Sequence, residues 1–293
     1  MVDAVIGGLR LAERGYEVEA TTLVLRESDP SPDDVERVAT RLRTDDYNLV
    51  IFSTFAEAQS VASTLRGLPE THVVLLDASV GWVDVFGELP RATGLRFDDE
   101  YAAYLVGYLS GLMEARVGPR QNRQRIVSAI GGVEGVPAVD SLMRGFERGA
   151  QRALPGVTVL TAYSGDFIDR SKCEALANEQ IDAGADIVFS AAGACSLGAL
   201  SAAGIRGVWG VGVDIDQSHL GPHILASAVK RFGQAVSIAV RSYVNGTLPA
   251  GRDVVLGLDD DGIGIAGISP EVPEGVRRQV ARAAAALQRG VEP

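Results

Sequence analysis

The stretch from Asp186 to Ser218, DIVFSAAGACSLGALSAAGIRGVWGVGVDIDQS, leaves a chain little choice of fold. It opens on the apolar run Ile187-Val188-Phe189 and passes through a small-residue turn, Ser190 to Gly193, into a short helix. It returns as a second apolar strand from Gly207 to Val213. A strand of a parallel sheet is covered by helices on both faces, so it carries apolar residues at nearly every position and feeds through glycine into the next helix. The second strand ends on two acids, Asp214 and Asp216. Ligands of open α/β sheets bind beyond the carboxyl ends of the strands, so Gly193 and Asp214 are expected to look into one cleft.

The same alternation runs through the rest of the chain. Residues 2–14 form an amphipathic helix pattern that stops at Gly15, and Val18 to Leu25 alternates as a strand does. Ser31-Pro32-Asp33-Asp34 starts a helix reaching about Arg43. Strands are expected at 49–52, 73–77 and 93–97, with helices at 57–66 and 98–114. Val117 to Arg125 reads as a linker. Alternation restarts with strands at 126–130 and 157–163, each followed by a helix, at 139–153 and 171–183. After the organising stretch come a helix at 227–244, a strand at 254–258 and a closing helix at 276–288. The fold class is therefore α/β, with two doubly wound parallel-sheet lobes and a ligand cleft between them. Lobe I is placed at 1–120 with 225–253 returning to it, and lobe II at 121–224 with 254–293.

Composition fits this diet: 46% hydrophobic residues, only 6% aromatic, and 34 glycines in 293 residues. The net charge of −11 disfavours nucleic acid, whose phosphates need a basic face. No run approaches the ~20 apolar residues of a membrane span. The first residues lack the charged-then-apolar pattern of a signal peptide. The two cysteines, Cys173 and Cys195, make no zinc spacing; free buried thiols are preferred, with a disulfide between them left open. Enzyme signatures fail in turn. Gly193-x4-Gly198 lacks the Lys-Ser/Thr of a phosphate loop, Gly131-Gly132-x-x-Gly135 is not GxGxxG, and the three histidines make no HExxH. No serine lies in GxSxG. Neither catalytic residues, a metal nor a cofactor is expected.

The chain resembles the basic membrane protein (BMP) family of substrate-binding proteins, the PnrA-like purine-nucleoside receptors of ABC transporters, which have the type I periplasmic-binding fold. The matching blocks are DDEYAAYLVGYLSG (98–111), AIGGVEGVPAVDSLMRGFERGA (129–150), GDFID (165–169), GADIVFSAAGACSLG (184–198), GVDIDQS (212–218), SAVKR (227–231) and GLDDDGIGIA (257–266). They cover nearly the whole chain in order. The resemblance implies capture of a nucleoside between two lobes that close on it, with an ABC permease as partner.

Two departures stand out. Family members carry a Gly-Gly-Thr-Gly-like turn where this chain has Gly193-Ala194-Cys195-Ser196. They also begin with a strand and a loop bearing an Asp/Asn and an aromatic residue, whereas Met1 here already lies in the first helix. In the 2-1-3-4-5 order that first strand sits between the second and third. Its loss would forfeit on the order of 10 kcal/mol of apolar burial, comparable to the ~5–15 kcal/mol margin of a typical domain. Upstream residues are therefore expected to carry that strand, and if they also carry a signal the protein would be a cell-surface or periplasmic lipoprotein. Its membrane contact would be through a lipid anchor not present in this chain.

Six residues are candidates for holding the ligand. Asp214 can accept two hydrogen bonds from ribose hydroxyls, or cap the helix that begins after its strand. Lys230, an amine amid Ala and Val in a chain poor in lysine, can bind a ribose oxygen or pair with Asp214 across the cleft. Phe167, in the polar loop Gly165-Asp166-Phe167-Ile168, can stack on a purine face. Gly193 lets backbone approach the ligand or turn into the helix. Phe55 and Asp77 follow strands in the first lobe and occupy equivalent rim positions, Asp77 as readily capping a turn. Two other readings stand beside transport: a cytoplasmic small-molecule-sensing regulator of the same fold, and a nucleoside- or sugar-modifying enzyme.

Overall fold

The computed structural model describes residues 2–23, 31–82, 89, 91–116, 118–122 and 124–292. Helix α1 (Val2–Gly15) leads to α2 (Pro32–Thr44), strand β1 (Leu49–Phe52), the short helices α3 (Phe55–Ser60) and α4 (Ala62–Leu65), β2 (His72–Leu76) and β3 (Ala92–Phe97). Next come α5 (Asp99–Glu114), β4 (Ile126–Gly131), α6 (Pro137–Ala153), β5 (Thr158–Tyr163) and α7 (Arg170–Asp182). These are followed by β6 (Ile187–Ala191), α8 (Ser196–Arg206), β7 (Trp209–Asp214) and β8 (Ile224–Lys230). Helix α9 (Phe232–Val244), β9 (Arg252–Leu256), β10 (Ile263–Ala266) and α10 (Glu274–Gln288) complete the order. Helix starts follow local chemistry. Ser31 caps α2 by accepting from the Asp34 amide ahead of Pro32, and Thr54 and Glu57 cap α3 reciprocally.

The chain divides into two compact units, Met1–Phe97 with Arg231–Leu256, and Asp98–Lys230 with Gly257–Pro293. The first boundary thus falls at Phe97, not at the linker near 120, because α5 belongs with the second unit. Helices α5 and α6 pack backbone against backbone. A Cβ at Gly107 would overlap the Phe146 carbonyl, and one at Gly149 the Tyr104 carbonyl.

In the first unit the sheet order is β1-β2-β3-β9, parallel throughout. Strand β2 is buried along its length, and Val38 and Leu42 of α2 join its core. The strand expected over Val18–Leu25 does not form across 18–23, and 24–30 lie outside the described residues. A strand needs a neighbouring edge to pair with, and none of the described strands pairs with 18–23. A cavity of about 660 Å³ is lined by β1 and by residues 17–21 and 23, together with Leu9, Ala12, Val38 and Val240. It lies between the segments expected as second and third strands, where the resemblance places the first. Among the described residues the outer edge of β1 has no strand partner.

The second unit holds a six-stranded sheet, β10-β8-β7-β6-β4-β5, in which only β10 runs antiparallel. The helix expected over 227–244 is corrected here: Ile224–Lys230 is strand β8, and α9 begins at Phe232. Small residues suit a helix, but this run is buried between β7 and β10 at every position, and tertiary burial overrides the local preference. Strand β10 was not foreseen, because Gly262 to Gly267 carries an internal glycine, Gly264, that masks a strand pattern.

The cysteines are likewise corrected. Cys173 and Cys195, both fully buried, form a disulfide with Cα atoms 5.6 Å apart. A separation of 22 residues carries no signal by itself. The βα winding brings the first turn of α7 against the turn after β6. Closing a loop of that length constrains the unfolded chain by about 3 kcal/mol. Replacing both cysteines by serine should therefore lower the melting temperature by several degrees, and an unchanged melt would contradict the pairing.

Glu114, at the end of α5, and Asp186, just before β6, are both buried. Burial first, and then the neighbouring Asp186, push the Glu114 carboxyl from 4.5 up to about 9. The unfolded chain releases this proton at lower pH than the folded one does. Its stability contribution is thus greatest in acid and is lost as pH rises toward 9. Thermal melts from pH 5 to 9 should show a decline that Glu114→Gln flattens. Equal slopes in both proteins would contradict the assignment.

Candidate functional site

The carboxyl ends of the second unit's parallel strands carry most of the expected residues. Strand β4 is flanked by β5 on one side and β6 on the other, so its end is a point where the winding reverses, the usual ligand position in such sheets. The strand closes on Gly131, and Gly132 follows. The ring of Phe167 rests on Gly132 so closely that a Cβ there would overlap it. Phe167 also lies against Gly193, which follows β6 with φ +58°, and its carbonyl accepts from the Cys195 amide at 3.1 Å. The residue is still 39% exposed, an apolar surface held open to solvent.

The loop that presents Phe167 is tightly built. The Asp166 carboxylate accepts from the amides of Ile168 (2.8 Å) and Asp169 (3.1 Å) and pairs with Lys172 at 2.8 Å. Hydrogen bonding to Lys172, then to those amides, holds Asp166 well below the usual carboxylate range. Asp169 caps α7 by accepting from the Ser171 amide. Opposite, the Ser196 hydroxyl accepts from the Ala192 amide and fixes the turn that carries Gly193. The disulfide anchors this turn to α7.

Asp214 ends β7 with φ +67°, a left-handed backbone that costs a non-glycine residue of order 1–3 kcal/mol and is retained where the surroundings demand it. Gln217 holds the turn beyond by accepting from the Val213 amide and donating its own amide to the Ser227 hydroxyl. The Asp214 carboxylate lies 3.2 Å from Lys230 Nζ. The expected pair therefore exists, but within one unit, since Lys230 is the last residue of β8 in the same sheet. A third member was missed: Asp99, in the first turn of α5, lies 3.0 Å from the same ammonium. The run Asp98-Asp99-Glu100 reads as an acidic helix start, and nothing in its spacing singles out Asp99. Asp98 does cap α5, as such a run should.

Phe55 and Asp77 belong to the first unit, after β1 and β2 respectively. Asp77 has φ +56° and donates its amide to the Leu95 carbonyl. The Phe55 side chain lies outside the described residues. Among the described residues no cluster of three His, Cys, Asp or Glu could hold a metal, and no helix is long and apolar enough to cross a membrane. An exposed aromatic face and a carboxylate–ammonium pair on the carboxyl edge of one sheet offer stacking for a flat ring and acceptors and donors for hydroxyl groups.

Comparison with known proteins gives the family and the fold. Basic membrane protein B of Borrelia garinii subsp. bavariensis is 28% identical over 276 residues, covering 87% of this chain and 77% of that protein. Among solved structures, a transcriptional activator of the comK gene from Bacillus halodurans superposes with TM-score 0.80 at 22% identity, covering 99% of this chain and 95% of the other. An ABC transporter solute-binding protein from Aeropyrum pernix K1 superposes with TM-score 0.68 at 21% identity, covering 99% and 76%. These structural likenesses, at only 22% and 21% identity, carry the fold alone. The family model described as ABC transporter substrate-binding protein PnrA-like matches residues 4–286, and the chain belongs to that family, Bmp.

Proposed function

We propose that this chain is the solute-binding component of an ABC importer and that its ligand is a purine nucleoside. The observation that carries the reading is the pairing, on one sheet edge, of an open Phe167 face on Gly132 and Gly193 with the Asp214–Lys230 pair. Phe167 stacks on the base, Asp214 accepts the ribose hydroxyls, and Lys230 donates to a ribose oxygen. Nothing chemical is done to the ligand, and the partner of the loaded protein is a permease.

The buried disulfide supports this reading over a cytoplasmic sensor. Disulfides form and persist in oxidising compartments outside the cytosol. It therefore also supports the cell surface or periplasm as the place of work.

Calorimetric titration with a panel of purine nucleosides, pyrimidine nucleosides and pentoses tests the reading. Saturable heat is expected with at least one purine nucleoside, without release of free base. Phe167→Ala should weaken that binding by about 1–3 kcal/mol, the usual value of a base stacked on an aromatic ring. Silence across the nucleosides would overturn the ligand assignment, and released base would overturn the pure-binder reading.

A further inference from the structure

The chain passes between its units at Phe97–Asp98, Lys230–Arg231 and Leu256–Gly257. The first two crossings are tied together on both sides of the boundary. On the first unit's side the rings of Phe97 and Phe232 meet edge to face, 5.2 Å between centroids. On the second unit's side Asp99 and Lys230 meet at 3.0 Å.

Lys230 faces two acids of unequal kind. Its own side chain is 5% exposed and that of Asp99 7%, whereas that of Asp214 is 43% exposed. A buried ammonium and a buried carboxylate need each other, because removing either leaves an uncompensated charge. The Asp214 oxygen on Lys230 is itself buried, but the rest of that side chain stays in water, so Asp214 depends less on the pairing and exchanges it more readily than Asp99 does. The two contacts are therefore not equivalent, although their lengths differ little.

We propose that Asp99 is a positioning residue for ligand capture, the fixed counter-ion that holds Lys230 at the chain crossings while Asp214 exchanges Lys230 for a ligand hydroxyl. This rests on the reading of Asp214 and Lys230 as ligand contacts. With Asp99 holding the ammonium, Asp214 keeps its negative charge and its acceptor capacity when a hydroxyl arrives. One cation between two carboxylates also leaves the cluster a net negative charge. It suits a neutral polyol better than an anion.

The experiment uses the whole chain in two arms. In ligand-free thermal melts, Asp99→Asn is expected to lower the melting temperature by about 5 °C or more, while Asp214→Asn changes it little. Pairing Asp99→Asn with Lys230→Gln should recover part of the loss caused by Lys230→Gln alone. In titrations with inosine, Asp99→Asn should weaken binding about tenfold, a factor of about 1.4 kcal/mol, and Asp99→Glu should restore most of it. The proposal is overturned if Asp214→Asn destabilises as much as Asp99→Asn, or if Asp99→Asn leaves inosine affinity unchanged. Should the unaltered chain take up neither inosine nor any other purine nucleoside, the nucleoside reading fails, and the melts still decide which acid is the fixed partner.

Discussion

A charged amine placed out of water must be paired, and the second unit of this protein is arranged to meet that requirement at Lys230. The residue ends a strand that is buried from Ile224 onward, in the interior of a six-stranded sheet. Its ammonium is met by Asp99 from the first turn of α5 and by Asp214 from the end of β7. Strand, helix and neighbouring strand are thereby held in register around one cation. Any ligand that uses Asp214 must also negotiate with that cation, so binding and the local fold share a single electrostatic centre.

The remainder of the site is steric. Glycine at 132 and 193 lets an aromatic ring lie on the sheet's edge without being swallowed by it. The Asp166 turn, the Ser196 hydroxyl on the Ala192 amide and the disulfide lock the two loops on either side. An aromatic face locked by its neighbours is preorganised, and preorganisation lowers the entropy that binding would otherwise lose. Family membership as an ABC transporter substrate-binding protein agrees with a surface built to hold a ligand.

Much of this was legible in the sequence. Apolar runs closed by glycine announced the parallel strands, and an acid after Val211-Gly212-Val213 marked the carboxyl edge. What escaped notice did so for physical reasons. Ile224–Lys230 has the small residues of a helix, and only its burial on both faces makes it a strand. Asp99 lies in an acid run that any helix N-terminus would favour, and its role appears only when β8 is placed beside α5. Val18–Leu23 alternates as a strand does, yet alternation cannot supply the partner edge that pairing requires. The cysteines show the same limit, since their meeting depends on winding and not on spacing.

The central claim is that the carboxyl edge of the second unit's sheet receives the ligand. A crystal structure of the protein grown with its tightest-binding nucleoside tests it most directly. The account expects ligand hydroxyls within hydrogen-bond distance of the Asp214 carboxylate, the base against Phe167, and Lys230 still on Asp99. A ligand bound elsewhere, such as in the cavity beside β1, with Asp214 untouched, would contradict it.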